Sequence, residues 1–382
     1  MHVLIAPDSF KESLAAPDVA RVIKNGFSKV FPEASYDLMP LGDGGEGTLD
    51  SLVHSLGLNR QSIQVTGPFG ENIQVQYAVK GSLAMFEMAE LVGLASIPIE
   101  SRAPLQIQTR GLGELIVHLV EAGMERIIIG VGGSASHDGG MGMAAGLGFQ
   151  FFDKDGQELE PIGANLGKVV SYSKPDTGFD SAAIQIDLIT DVTNPLCLQN
   201  GATYVFAAQK GLAPERFAQV DKEMHDFYQL VNPDLIEKEG AGAGGGMAAG
   251  LCAFAGATIH SGIDFVLDQL DFEQRASQAN LVIVGEGRLD RQSLSGKTPI
   301  GVARRVKQGV PVVAICGSLA DDLPDFPFEN ICAAFPIISK LASLEESLAL
   351  AEVNLERTAE QIARILKISQ AWKDGLYNFC SG

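Results

Sequence analysis

Leu281-Val282-Ile283-Val284-Gly285-Glu286-Gly287-Arg288-Leu289-Asp290 decides how the chain is organised: an unbroken apolar run leads straight into carboxylates, glycines and an arginine. Such a run suits a parallel strand covered on both faces, and open α/β sheets bind ligands at the carboxyl ends of these strands. Glu286 and Asp290 therefore emerge where a phosphate and metal site is expected. Ser295-Gly296-Lys297-Thr298-Pro299 follows at once, with Pro299 suited to the first turn of a helix. Gly296-Lys297-Thr298 looks like the end of a P-loop, but that motif needs a glycine where Arg291 stands.

The same plan recurs along the chain. Val3-Leu4-Ile5-Ala6 runs into Pro7-Asp8-Ser9-Phe10-Lys11-Glu12-Ser13, and a helix is expected from Pro17-Asp18 with Val19, Val22, Ile23 and Val30 on one face. Leu41 to Thr48 sets Asp43 and Glu46 among glycines. Arg126-Ile127-Ile128-Ile129-Gly130 delivers Val131-Gly132-Gly133-Ser134-Ala135-Ser136-His137-Asp138, and Leu188-Ile189-Thr190 delivers Asp191 and Asn194. Gly and Asp are ordinary turn residues. Recurrence of one chemistry behind successive apolar strands is what points to a site.

Length and composition fit a globular α/β protein rich in tight turns: 382 residues, 46% hydrophobic, 43 glycines. A net charge of -19 with no basic stripe argues against nucleic-acid or anionic-membrane partners. Any cations that meet an anionic ligand must then act locally, and Lys11, Lys210, Arg288 and Lys297 lie beside glycine loops. The cysteines at 197, 252, 316, 332 and 380 are dispersed, as in a reduced cytosolic protein, with Cys316 and Cys332 expected in the core. No histidine cluster suggests zinc, and His137 is expected to hydrogen-bond locally. The apolar run before Pro7 is too short for a signal peptide and no window suits a membrane span, so a cytoplasmic location is expected.

The chain ends share one grammar of strand, charged loop and helix. The expected fold is α/β with two domains: a doubly wound, Rossmann-like parallel sheet built from residues 1–62 and 275–382, and an inserted mixed α/β domain at 63–274 with the active site in the cleft between them. The insert is expected to open with a hairpin around Gly67 to Asn72. A long helix with a capping box at Ser343 and Glu346 and a stripe of Leu348, Ala351, Leu355, Ala359, Ile362 and Leu366 is expected near the end. The run from Gly240 to Gly250 reads equally as a phosphate cradle or as a close-packed helix entry.

Asp8-Ser9-Phe10-Lys11, Leu41-Gly42-Asp43-Gly44-Gly45-Glu46-Gly47-Thr48, Gly132-Gly133-Ser134-Ala135, Thr190-Asp191-Val192-Thr193-Asn194-Pro195-Leu196, Gln209-Lys210-Gly211 and Gly285 to Asp290 together resemble the type I bacterial glycerate kinases, in the family's order. The resemblance implies phosphorylation of D-glycerate by ATP with magnesium (Mg2+). It leans to 2-phosphoglycerate as product, with 3-phosphoglycerate the alternative, and is compatible with a homo-oligomer. On this reading Asp191 is the base that orients the hydroxyl, supported by Asn194, and Lys11 assists catalysis. Asp8, Ser9, Asp43, Gly44, Glu46, Gly132, Gly133, Ser134, Lys210, Arg288 and Lys297 would bind substrate and phosphate, and Asp191, Glu286 and Asp290 would hold the metal. The chain departs from the pattern at Glu12 for a glycine, Ser136-His137 for Thr-Asn, and Ala207-Ala208 for Gly-Pro.

Two other readings compete. Gly130-Val131-Gly132-Gly133-Ser134-Ala135 fits G-x-G-x-x-A, and Asp153 follows near the spacing of a dinucleotide-dependent oxidoreductase. Against it, Asp138 would crowd a pyrophosphate, and Asp155-Gly156 reads as a hairpin turn that puts Asp153 on a ribbon. A non-enzymatic binding protein for small acids would not need so many carboxylates.

Overall fold

Val3, Leu4, Ile5 and Ala6 are all fully buried, so the first strand, His2–Pro7, is covered on both faces. The computed structural model describes residues 1–10, 13–42, 48–174, 179–291, 293–295 and 297–373. Within it the first strand pairs in parallel with Ser35–Leu38 and with Leu281–Gly285. The register sets Val3 opposite Leu281 and Pro7 opposite Gly285, so Asp8 and Glu286 leave their strands at one level. Val312–Cys316 and Ile331–Pro336 extend the sheet, again in parallel.

From its central strand the chain first steps to Ser35–Leu38 through the helix Ala16–Ser28. After returning at Leu281–Gly285 it steps the other way through Thr298–Arg305. The strand order reverses between His2–Pro7 and Leu281–Gly285, which is where doubly wound sheets bind ligands. Val3, Ile5 and Ile283 pack against Val19, Val22, Ile23 and Phe27 of the first helix and Leu355 and Ala359 of the last. Thr298–Arg305 rests on the two central strands.

The chain divides into two compact units, Met1–Asp43 with Asp50–Leu56 and Ile263–Gly382, and Gly44–Leu49 with Gly57–Gly262. The second unit has a sheet in the order Thr258–Ser261, Gln185–Thr190, Arg126–Gly130, Leu83–Glu87, Asn72–Lys80, Asn59–Thr66. The first four strands are parallel, and the last two form an antiparallel hairpin turned at Gly67 to Asn72, as the sequence suggests. Among the described residues no helix is long and apolar enough to cross a membrane.

Three expectations need correction. Val30 lies beyond the first helix, which ends at Ser28, although it is still buried. The apolar stripe near the end is split between two helices, Leu344–Ala349 and Ala351–Lys373. The break falls at Leu350, which leaves helical geometry at φ -97° and ψ 4°. Ser343 does cap the shorter helix by accepting from Glu346 N at 3.1 Å, while the Glu346 carboxylate takes Lys340 as its partner. Cys316 is buried, but Cys332 is exposed, because Ile331–Pro336 is an edge strand.

The first and last helices of the first unit approach most closely at Gly26, where a Cβ would stand 2.5 Å from Glu356 O and 2.8 Å from the Ala359 Cβ. Lys29 pairs with Glu356 at 2.6 Å beside this crossing, but on the exposed side. Packing rather than charge should therefore dominate. Gly26→Val is expected to destabilise the first unit by about 2 kcal/mol through overpacking, seen as a lower denaturation midpoint, with a much smaller effect from Lys29→Met.

Candidate active site

Arg126–Gly130 and Gln185–Thr190 are adjacent parallel strands, so the loops at their carboxyl ends lie side by side. Gly132, Gly133 and Ser134 from one loop and Asp191 and Val192 from the other line a pocket of about 500 Å3 counted to its mouth. Lys210 and Gln209 reach it from the turn after the helix Ala202–Phe206. Five residues singled out from the sequence thus share one pocket. Asp191 is exposed within it. The Gly132 and Gly133 amides make no hydrogen bond among the described residues, which leaves donors for an anionic ligand.

Ala243 and Gly244 form another wall. Gly244, Gly245 and Gly246 are consecutively left-handed, at φ 67°, 72° and 88°. A Cβ on Gly245 would stand 2.3 Å from Ser136 O and 3.0 Å from Lys210 Nζ. The run is a close-packed helix entry that also borders the pocket.

Lys210 is only 3% exposed, and its ammonium donates to Ser134 Oγ and Ser136 O, both at 2.8 Å. Burial pulls its pKa down to about 7, while nearby Asp138 opposes the shift. Asp138 is itself fully buried, accepting from Thr109 Oγ1 at 2.6 Å and from the Gly140 and Gly142 amides. Burial raises its carboxyl above the usual range against those donors. His137 meets Thr203 Oγ1 at 2.9 Å, and burial followed by the Lys210 charge lowers it to about 3, so the ring is neutral. It is the local hydrogen-bonding residue expected from the sequence. Thr109, which ties Asp138 in place, carried no sequence signal because it stands alone before a helix.

A second group of site candidates gathers in the first unit at the reversal of strand order. Asp8 accepts from its neighbour Ser9 N at 2.6 Å and from Thr298 Oγ1 at 2.7 Å. Glu286 is 7% exposed, and its Oε1 is buried without a hydrogen-bond partner among the described residues. Burial lifts its carboxyl to about 7; Ser293 and Lys297 oppose this, and the charges of Asp8 and Asp290 add to it. Asp290 is tied to Ser293 through its amide and carboxylate, and the largely exposed Arg288 stands 3.7 Å from it. Thr298 went unrecognised in the sequence because its partner lies 290 positions away.

Lys11, Asp43, Gly44 and Glu46 lie outside the described residues. Asn194 is not among the pocket's lining residues: its side-chain amide donates to Asn200 O at 2.7 Å and braces the loop behind Asp191. The oxidoreductase alternative finds no support in this geometry. No helix opens at Gly132 to Ala135; the next one begins at Met141. Instead Leu94 N donates to Gly133 O and Ala135 N to Val92 O, both at 2.7 Å. Asp153 spends its carboxylate on the Asp155 and Gln157 amides of the turn foreseen from the sequence.

Comparison with known proteins shows the family to which the chain belongs. A sequence model of the glycerate kinase family matches residues 3–367. A glycerate kinase of Neisseria meningitidis serogroup B is 54% identical over 96% of this chain and 99% of its own length. The glycerate 2-kinase of Escherichia coli K12 is 39% identical over 96% of this chain and 98% of its own. A crystal structure from Salmonella typhimurium LT2, assigned to glycerate kinase 2, superposes with a TM-score of 0.84 at 40% identity, covering 97% of this chain and 99% of that one. Matched along almost its whole length, the chain belongs to the glycerate kinase family of enzymes.

Proposed function

We propose that the protein transfers the γ-phosphoryl group of ATP to the 2-hydroxyl of D-glycerate, giving 2-phosphoglycerate, with magnesium as cofactor. The observation that carries this reading is the convergence of Asp191, Lys210 and the Gly132 and Gly133 amides on one pocket. A small hydroxy acid needs an anion clamp and an acceptor for the hydroxyl proton. Lys210 and the free amides supply the first, and the exposed Asp191 carboxylate supplies the second. The name of the Escherichia coli relative favours the 2-hydroxyl.

Phosphoryl transfer depends mainly on positioning and charge neutralisation. Among the described residues no three His, Cys, Asp or Glu side chains stand close enough to hold a metal on their own. Magnesium takes one or two carboxylates and completes its shell with phosphate oxygens and water, so that arrangement fits it. The orphaned, buried Oε1 of Glu286, with Asp290 close enough to act on its charge, is suited to such a cation. In this proposal Glu286 and Asp290 would hold the metal. Bound magnesium would neutralise phosphate oxygens as charge moves to the leaving group. Thr298 holds Asp8 in place, Lys297 adds positive charge beside the phosphates, and Asp191 takes the hydroxyl proton.

The product can be read directly from the phosphorus NMR spectrum of a reaction with ATP, magnesium and D-glycerate. Phosphorus on the 2-oxygen couples to one methine proton and should give a doublet, whereas a triplet from a methylene neighbour would identify 3-phosphoglycerate and overturn the regiochemistry. Asp191→Asn should lower kcat by about 100-fold or more, the scale of a lost general base, with an unchanged thermal midpoint because the side chain is exposed.

Lys210 makes a separate prediction about pH. Its pKa falls from 10.5 when unfolded to about 7 when folded. Between those values the unfolded chain holds a proton that the folded one does not, so this group makes stability rise with pH across that window. Lys210→Met should flatten the rise relative to wild type in thermal melts from pH 7 to 10.5, and should also raise KM for glycerate.

A further inference from the structure

A second cavity lies within the unit built from the chain ends, at the carboxyl ends of its parallel strands. Counted with the open solvent at its mouth it spans about 500 Å3. Phe10 borders it after the first strand, Gly287 and Gly317 after the next two, Ile337 after the edge strand, and Leu348 and Asn354 from the C-terminal helices. The two glycines bring bare backbone to its wall: a Cβ on Gly317 would stand 2.3 Å from Gly287 O.

One polar side chain in this apolar lining lacks a full set of partners. Asn354 is only 8% exposed, and its Oδ1 accepts from Ser339 Oγ at 3.2 Å. Its Nδ2 makes no hydrogen bond among the described residues. That donor is left to meet an acceptor on a ligand, so the cavity suits a ligand with apolar faces and a hydrogen-bond acceptor on its edge. Gly287 also places the cavity wall next in sequence to Glu286, a carboxylate assigned above to the metal and phosphates.

We propose that this cavity receives the purine base of the nucleotide, with Asn354 Nδ2 donating to a ring nitrogen and Phe10, Ile337 and Leu348 contacting the ring. The assignment rests on the ATP reading above, and the test separates the two. Ser347→Phe fills the cavity from the helix Leu344–Ala349, no residue of which is buried, and so leaves the core intact. Asn354→Leu keeps the volume and removes the amide.

Calorimetry would compare adenosine, ADP and inorganic tripolyphosphate on wild type and both variants, with steady-state kinetics alongside. Adenosine and ADP should bind at least about tenfold more weakly to each variant, the scale of one lost hydrogen bond or a blocked slot, while tripolyphosphate binding and KM for glycerate change less than about twofold. If wild type does not bind adenosine, or both variants bind it as wild type does, the base assignment is overturned. If ATP supports turnover with the same KM in wild type and variants, the base assignment fails and the ATP reading stands. If adenosine binds wild type and is lost in the variants while ATP is not a phosphoryl donor, the cavity assignment stands and the ATP reading fails. Should Asn354→Leu not fold, Ser347→Phe alone gives the same discrimination.

Discussion

The parallel pairing of His2–Pro7 with Leu281–Gly285 joins segments that are distant in sequence, and the first unit depends on it. The junction is fastened at its start, where His2 N donates to Asn280 Oδ1 at 2.7 Å, 278 positions away, and Asn280 N donates to His2 O at 2.8 Å. Closing a loop of that length costs on the order of 5 kcal/mol in chain entropy. Burying one Val, Leu or Ile side chain contributes about 1.5–3 kcal/mol, an upper estimate since unfolded chains are partly compact. Val3, Leu4, Ile5, Val282, Ile283 and Val284 are all fully buried, so side-chain burial outweighs closure. The same pairing brings Asp8 and Glu286 to one level at the reversal of strand order. Stability and site are set by one register.

Charge acts differently in the second unit. The protein carries a net -19, yet the pocket beside Asp191 is built on a buried cation. An ammonium so buried is expensive unless hydrogen-bonded, and Ser134 Oγ and Ser136 O take two of its donors. Geometry and electrostatics pull in opposite directions here: the acceptors favour the charged form, while burial brings the pKa down to about 7. Fixed donors set in a pocket of low polarity attract an anion more strongly than the same groups in water.

Much of this was legible in the sequence because it is local. Apolar runs located the buried strands, and glycine and acid clusters marked their carboxyl ends, so Gly132, Gly133, Ser134, Asp191 and Lys210 could be named before any geometry was known. What was not legible depends on distant partners. Thr298 gains meaning only from Asp8, and Thr109 only from Asp138. The stripe from Leu348 to Leu366 has helical spacing throughout, and periodicity alone cannot register the backbone change at Leu350. Cys332 sits in an apolar run, but whether a strand lies at a sheet edge is a property of the topology.

The departures from the family pattern can be weighed in the same terms. Where the resemblance implies Thr-Asn this chain has Ser136-His137, which replaces a neutral amide with an ionisable ring. Burial and the adjacent Lys210 charge hold that ring at a pKa of about 3, so over the physiological range it is as uncharged as an asparagine and still hydrogen-bonds Thr203. Ser136 serves Lys210 through its backbone carbonyl, a group that every residue type provides. Ala207 is fully buried against Leu105, Leu212 and Val220, where a small apolar side chain fits the packing. At these positions the substitutions conserve the charge state and the acceptors around Lys210.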